Sequence, residues 1–148
     1  MSSSKDDREG SVDLLAFDLD RRQPMLVELK PARASDSLTG VLLEVLSHWA
    51  FHMRYLPQFQ QQVAQAEVVR SPVMQAPTVA IAAPESYFVE TLRRSGDPGR
   101  HNEIRVAAQL IRCMLEIWGV QVRLLAIEDG WQQVGLDFAI RDWAIPAE

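Results

Sequence analysis

Between residues 11 and 84 the chain switches hydrophobic period twice, and this alternation limits the available folds more than any other feature of the sequence. "SVDLLAF" (11–17) and "MLVELK" (25–30) are short apolar runs separated by the turn-rich "DLDRRQP", a pattern that predicts a β-hairpin or two adjacent antiparallel strands ended by Pro31. The period then changes. Leu38, Val41, Leu42, Val45, Leu46, Trp49 and Met53 follow three-and-four spacing behind a capping Asp36 or Ser37, which predicts a helix with a buried stripe. "TVAIAAP" (78–84) returns to strand character and stops at Pro84.

Downstream, "PQFQQQVAQAEVV" (57–69) reads as a looser helical segment and "ESYFVETLRR" (85–94) as a short helix. "SGDPG" is a loop on turn chemistry, and Asn102 is a candidate cap for the helix after it. That helix has two apolar faces. Ile104, Ala107, Ala108, Ile111, Leu115 and Trp118 form one, and Val106, Leu110, Cys113, Met114 and Ile117 form much of the other, so it is either sandwiched or part of a homodimer contact. Gly119 is a natural stop. "VQVRLLAI" (120–127) and "QVGLDFAI" (133–140), joined around "EDG", predict two last strands. Strand, strand, helix, strand, helix, strand, strand implies an α/β or α+β sheet flanked by helices.

With 148 residues, 47% of them hydrophobic, the chain can bury one ordinary core. Residues 1–10, polar and without periodicity, read as a flexible leader, and residues 11–148 as a single domain. No window has the apolar length of a membrane span, and the opening lacks a signal peptide's basic start and apolar middle; the expectation is a cytoplasmic protein with no membrane partner. A formal net charge of -5 argues against broad attraction to nucleic acid and leaves local basic patches as the alternative. The lone cysteine, Cys113, excludes an internal disulfide.

Charged residues in the hairpin stand out against its apolar runs. A turn near Asp20 and Arg21 sets Asp13 opposite Glu28, and like charges facing across a sheet are destabilising unless a proton or a cation is shared. Strand alternation places Lys30 on the face of Glu28. Oxygen ligands from Asp13 and Glu28, joined by a backbone carbonyl such as that of Leu29 and by water, suit a hard cation such as Mg²⁺ or Mn²⁺ better than zinc. Lys30 is then placed to orient water or to balance charge on a phosphoryl group. The plain structural alternative is a solvated edge, but Leu14, Leu15, Leu26, Val27 and Leu29 give the hairpin apolar residues on both faces, the mark of a central pair.

Asp13 opening a strand, a turn, Glu28-Leu29-Lys30 ending the next strand and a helix at once after it resemble the PD-(D/E)XK, or restriction-endonuclease-like, superfamily. The run "DSLTGVLLE" is similar to that of uncharacterised bacterial members. The resemblance implies an α/β fold, a restriction-endonuclease-like mixed β-sheet flanked by helices. It also implies a metal-dependent phosphodiesterase with Asp13 and Glu28 as ligands of Mg (or Mn) and Lys30 as the catalytic lysine. Many members carry a glutamine and a tyrosine one turn apart on the helix after the motif; Val41 and Val45 stand at those places here.

Glu44, His48 and His52 form a polar stripe on the best helix, with Glu44 and His48 as candidates for the border of the site. Arg93, Arg94 and Arg100 gather around the "SGDPG" loop and are candidate phosphate contacts. Two functions follow: a nuclease acting on nucleic acid, DNA ahead of RNA, or a catalytically inactive nuclease-fold binding or assembly module.

Overall fold

The structure is a computed structural model describing residues 13–33, 36–66, 76–95, 101–128 and 140–145. The expected hairpin forms from β1 (Leu14–Asp18) and β2 (Gln23–Leu29). They pair antiparallel with Leu14 facing Val27 and Asp18 facing Gln23, the register set by a turn at Asp20 and Arg21. At that turn the Asp18 carboxylate accepts the Arg21 N–H at 3.0 Å, and Arg22 takes the left-handed conformation with φ of 53°. The hydrogen bond from the Arg21 backbone holds the Asp18 carboxyl below its ordinary range, against the opposing effect of burial.

Next come α1 (Leu38–Arg54), α2 (Leu56–Gln65), β3 (Thr78–Pro84), α3 (Glu85–Ser95), α4 (His101–Trp118), β4 (Val122–Ile127) and β5 (Ile140–Asp142). The result is a five-stranded mixed α/β sheet in the order β1-β2-β3-β4-β5. β2, β3 and β4 run parallel, and β1 and β5 run antiparallel to their neighbours. No described helix is long and apolar enough to cross a membrane.

Alternation along the strands sorts the core into two clusters. Leu26, Val79, Ile81, Ala83, Leu124 and Ala126 meet residues from all four helices on one face, while Met25, Val27, Ala80, Ala82 and Leu125 are buried together on the other. β2 is therefore buried on both faces, as expected of a central strand. β1 differs from the expectation: among the described residues it is the outermost strand, paired with β2 alone, and Leu14 and Leu15 are exposed.

Ser37, rather than Asp36, caps α1 by accepting the Gly40 N–H at 3.0 Å. α4 begins at His101, so Asn102 lies inside the helix and is not its cap. Its buried line draws on both expected faces: Ala107 and Met114 are fully enclosed and Leu110 and Ile111 pack against the core, whereas Val106, Leu115, Ile117 and Trp118 are exposed. A helix packed on one side, here against α1, α3 and β4, buries a single stripe, so four apolar residues are left outside. The last expected strand, 133–140, lies outside the described residues up to 139, and the strand found there is Ile140–Asp142.

α4 ends at Gly119, with φ of 66°, its N–H donating to the Leu115 carbonyl at 3.0 Å. A Cβ there meets nothing within 4 Å, so the cost of adding one is purely conformational. Gly119→Ala is expected to destabilise the fold by about 1–2 kcal/mol. A urea melt with unchanged midpoint would contradict the assignment of this cap.

Candidate functional site

Glu28 follows Leu26 by two residues on β2 and therefore points to the helix-bearing face, where it is only 6% exposed. Lys30 lies two residues further on the same side, and its backbone N–H still donates to the Ala82 carbonyl at 3.0 Å, so the β2–β3 ladder holds it in place. Its ammonium donates to Glu28 Oε1 at 2.9 Å and to Glu44 Oε2 at 2.9 Å, and it lies 3.7 Å from the Asp36 carboxylate.

Glu44 reaches Lys30 because Leu38, Val41, Leu42 and Val45 seat α1 on the sheet, leaving the next positions round the helix over the end of β2. His48, one turn further on, brings Nδ1 to 3.7 Å from Glu28 Oε2. Glu44 and His48, the expected border residues, thus lie beside Lys30 and Glu28 respectively. His52 leaves the group: its Nδ1 lies 2.8 Å from the His48 carbonyl oxygen and its ring meets Phe59 edge-on. Val41 and Val45 are core residues, buried under the sheet-facing side of α1.

Asp13 lies one residue before β1, and continuing the strand register sets it beside Glu28 on the helix-bearing face. Its carboxylate Oδ2 accepts the Leu29 N–H at 2.9 Å, which ties the start of β1 to the end of β2. The Leu29 side chain is exposed on the opposite face. Of the expected phosphate contacts, Arg93 and Arg94 lie on the last turn of α3 with side chains outside the description, and Arg100 lies outside the described residues.

The electrostatics follow from burial and sharing. Burial raises the Glu28 carboxyl above its ordinary range, the Lys30 hydrogen bond opposes this, and the charges of Glu44 and Asp13 add to the rise. Burial also works against the Lys30 ammonium, but hydrogen bonds to Glu44 and Glu28 outweigh it and hold Lys30 charged well beyond the ordinary lysine range. Lys30 is therefore a fixed cation at neutral pH and not a base.

Asp36 belongs to the cluster although its sequence position suggested only a cap; the short return from Pro31 to Ser37 is the signal that it stays near Lys30. A second charged group was not anticipated either. Arg123, an isolated cation in the apolar run of β4, donates to Asp18 at 2.9 Å and to both carboxylate oxygens of Asp142, linking the outer strands β1 and β5. It edges a cleft of about 310 Å³ floored by Ile111, Leu124 and Trp143, which shares no residue with the Lys30 cluster.

Among the described residues no three His, Cys, Asp or Glu side chains already form a group able to hold a metal ion. The donors near Glu28 are nevertheless of the right kind for a divalent cation: Glu28 Oε2 is not used by Lys30, Asp13 is exposed, and one buried imidazole nitrogen, His48 Nδ1, has no hydrogen-bond partner. No protein-family model, curated protein or solved structure matches this chain.

Proposed function

We propose that the chain is a metal-dependent phosphodiesterase acting on nucleic acid, with the restriction-endonuclease-like form of the α/β fold. One observation carries this reading: a buried carboxylate and a fixed ammonium, Glu28 and Lys30, end a central strand beside a second carboxylate of α1, in a strand–turn–strand–helix setting. Burial, with the charges of Glu44 and Asp13, keeps the Glu28 carboxyl raised in spite of Lys30, a perturbation of the kind that clusters at functional sites.

Asp13 and Glu28, with the Leu29 carbonyl, are the residues that would hold Mg²⁺ or Mn²⁺. When bound, such an ion polarises a phosphoryl oxygen and lowers the pKa of water. The chain's own residues do the rest. Two of the three Lys30 protons are committed to Glu28 and Glu44, which leaves one N–H to donate to an attacking water or to a phosphate oxygen as its charge grows. Glu44 and Asp36 keep that ammonium charged and aimed, and are positioning residues.

A second reading, an inactive module on the same fold, draws on the core burial of Val41 and Val45 at places where many nucleases of this kind carry glutamine and tyrosine. Metal-dependent melting separates the two in part. Mg²⁺ or Mn²⁺ at a hundredfold above its Kd is expected to stabilise the native protein by about 2.7 kcal/mol and to leave Glu28→Ala unmoved. Labelled DNA and RNA then decide activity: metal binding without cleavage selects the inactive module, and absence of any metal-induced shift removes the phosphodiesterase reading.

A further inference from the structure

Among the described residues two buried side-chain nitrogens have no hydrogen-bond partner, His48 Nδ1 and Trp49 Nε1. They differ chemically. An indole nitrogen can only donate, whereas an imidazole nitrogen in the appropriate tautomer offers a lone pair. The His48 nitrogen lies 3.7 Å from Glu28 Oε2, too far for a hydrogen bond. Two ligands each about 2.1 Å from one ion, at angles of roughly 90–120°, lie about 3.0–3.6 Å apart, so this spacing needs only a small adjustment to place both on a common cation.

We propose that His48 is a nitrogen ligand of the divalent cation at Glu28, which makes the site a mixed nitrogen and oxygen site selective for later first-row transition cations over Mg²⁺. This rests on the metal-dependent reading above and extends it to the identity of the ion. The division of labour is visible in the hydrogen bonds. Lys30 occupies Glu28 Oε1 and leaves Oε2 toward His48, and the side chains of both Glu28 and His48 are largely buried, 8% and 13% exposed. His52 is directed elsewhere, with its Nδ1 2.8 Å from the His48 carbonyl oxygen and its ring edge-on to Phe59. Magnesium prefers oxygen ligands and retains water, whereas imidazole favours ions from iron through zinc, and affinity rises from manganese through cobalt to nickel. An imidazole ligand therefore shifts the balance away from magnesium.

The test is titration of the full chain with Co²⁺, followed by visible absorption and by melting, with Mg²⁺ titrated in parallel. The expected result is tighter binding of Co²⁺ than of Mg²⁺, with His48→Gln weakening Co²⁺ at least about tenfold while the Mg²⁺-induced melting shift persists. That Mg²⁺ shift also reports that the variant is folded. Should His48→Gln not fold, pulsed electron paramagnetic resonance of the native protein with Mn²⁺ gives the same answer, a directly bonded ¹⁴N being expected. Equal Co²⁺ affinity in native protein and variant, or no nitrogen coupling, overturns the role of His48 and leaves the Asp13–Glu28 assignment standing; a water bridging His48 and Glu28 then accounts for the spacing. If the native protein binds neither ion, both proposals fall.

Discussion

Lys30→Met is expected to lower Tm by about 5–10 °C at neutral pH, the equivalent of roughly 2–3 kcal/mol in a domain of this size. The substitution keeps an unbranched apolar stem and removes the ammonium at its end, leaving Glu28 buried without its cation and Glu44 without its partner. The figure lies below the full penalty for an orphaned buried charge because Glu44 is 44% exposed and recovers much of its hydration.

The pH dependence gives the prediction its sign. The folded-state pKa of Glu28 is raised, so its contribution to stability is complete below the ordinary glutamate value and is lost as pH rises through the folded value. Lys30 opposes that loss. The deficit of the variant should thus be larger at pH 7 than at pH 4, where Glu28 is protonated in both proteins. A deficit that does not change with pH would show that Lys30 does not stabilise by pairing with the ionised Glu28. Under the proposed function the same variant is expected to lose cleavage by at least about a hundredfold, measured at a temperature where both proteins remain folded.

Phe88→Ala is expected to cost about 3–5 kcal/mol and to lower the urea midpoint with little change in slope. Phe88 is fully buried, meets Tyr87 edge-on, and stacks on Trp143 with ring centroids 4.7 Å apart and planes 17° from parallel. The Trp143 backbone N–H donates to the Leu124 carbonyl at 2.8 Å, so this ring pair clamps the segment after β5 to α3 and β4. Loss of near-ultraviolet circular dichroism from Trp143 should accompany the loss of stability. As a control, Leu115→Ala, at a residue 55% exposed on α4, should change stability by no more than about 0.5 kcal/mol. A small effect at Phe88 would mean that the clamp is not formed in solution.

The hairpin, α1, β3 and the stop at Gly119 were legible because each is set by local chemistry. Turn residues, the Ser37 cap and hydrophobic period act within a few residues of chain, and the register that brings Asp13 beside Glu28 follows from the position of the turn alone. The nearness of Glu44 and His48 to the end of β2 was legible for a similar reason: a helix stripe next to the core stripe must lie over whatever strand the helix packs on. α4 was less legible. Its apolar residues cover two sides, and only packing against α1, α3 and β4 selects the line through Ala107 and Met114.

From the sequence by itself came the class of the sheet, the pairing of its first two strands, and the presence of two acids and an amine at their open end, since period, turns and alternation are properties of neighbouring residues. Tertiary structure alone decided that β1 is the outermost of the described strands on its side, that Asp36 joins Lys30, that Arg123 ties Asp18 to Asp142, and that Trp143 stacks on Phe88. Each of those contacts depends on where the sheet's twist and the helix crossovers carry distant residues, and on the competition among several apolar surfaces for one limited interior; local pattern holds no record of either.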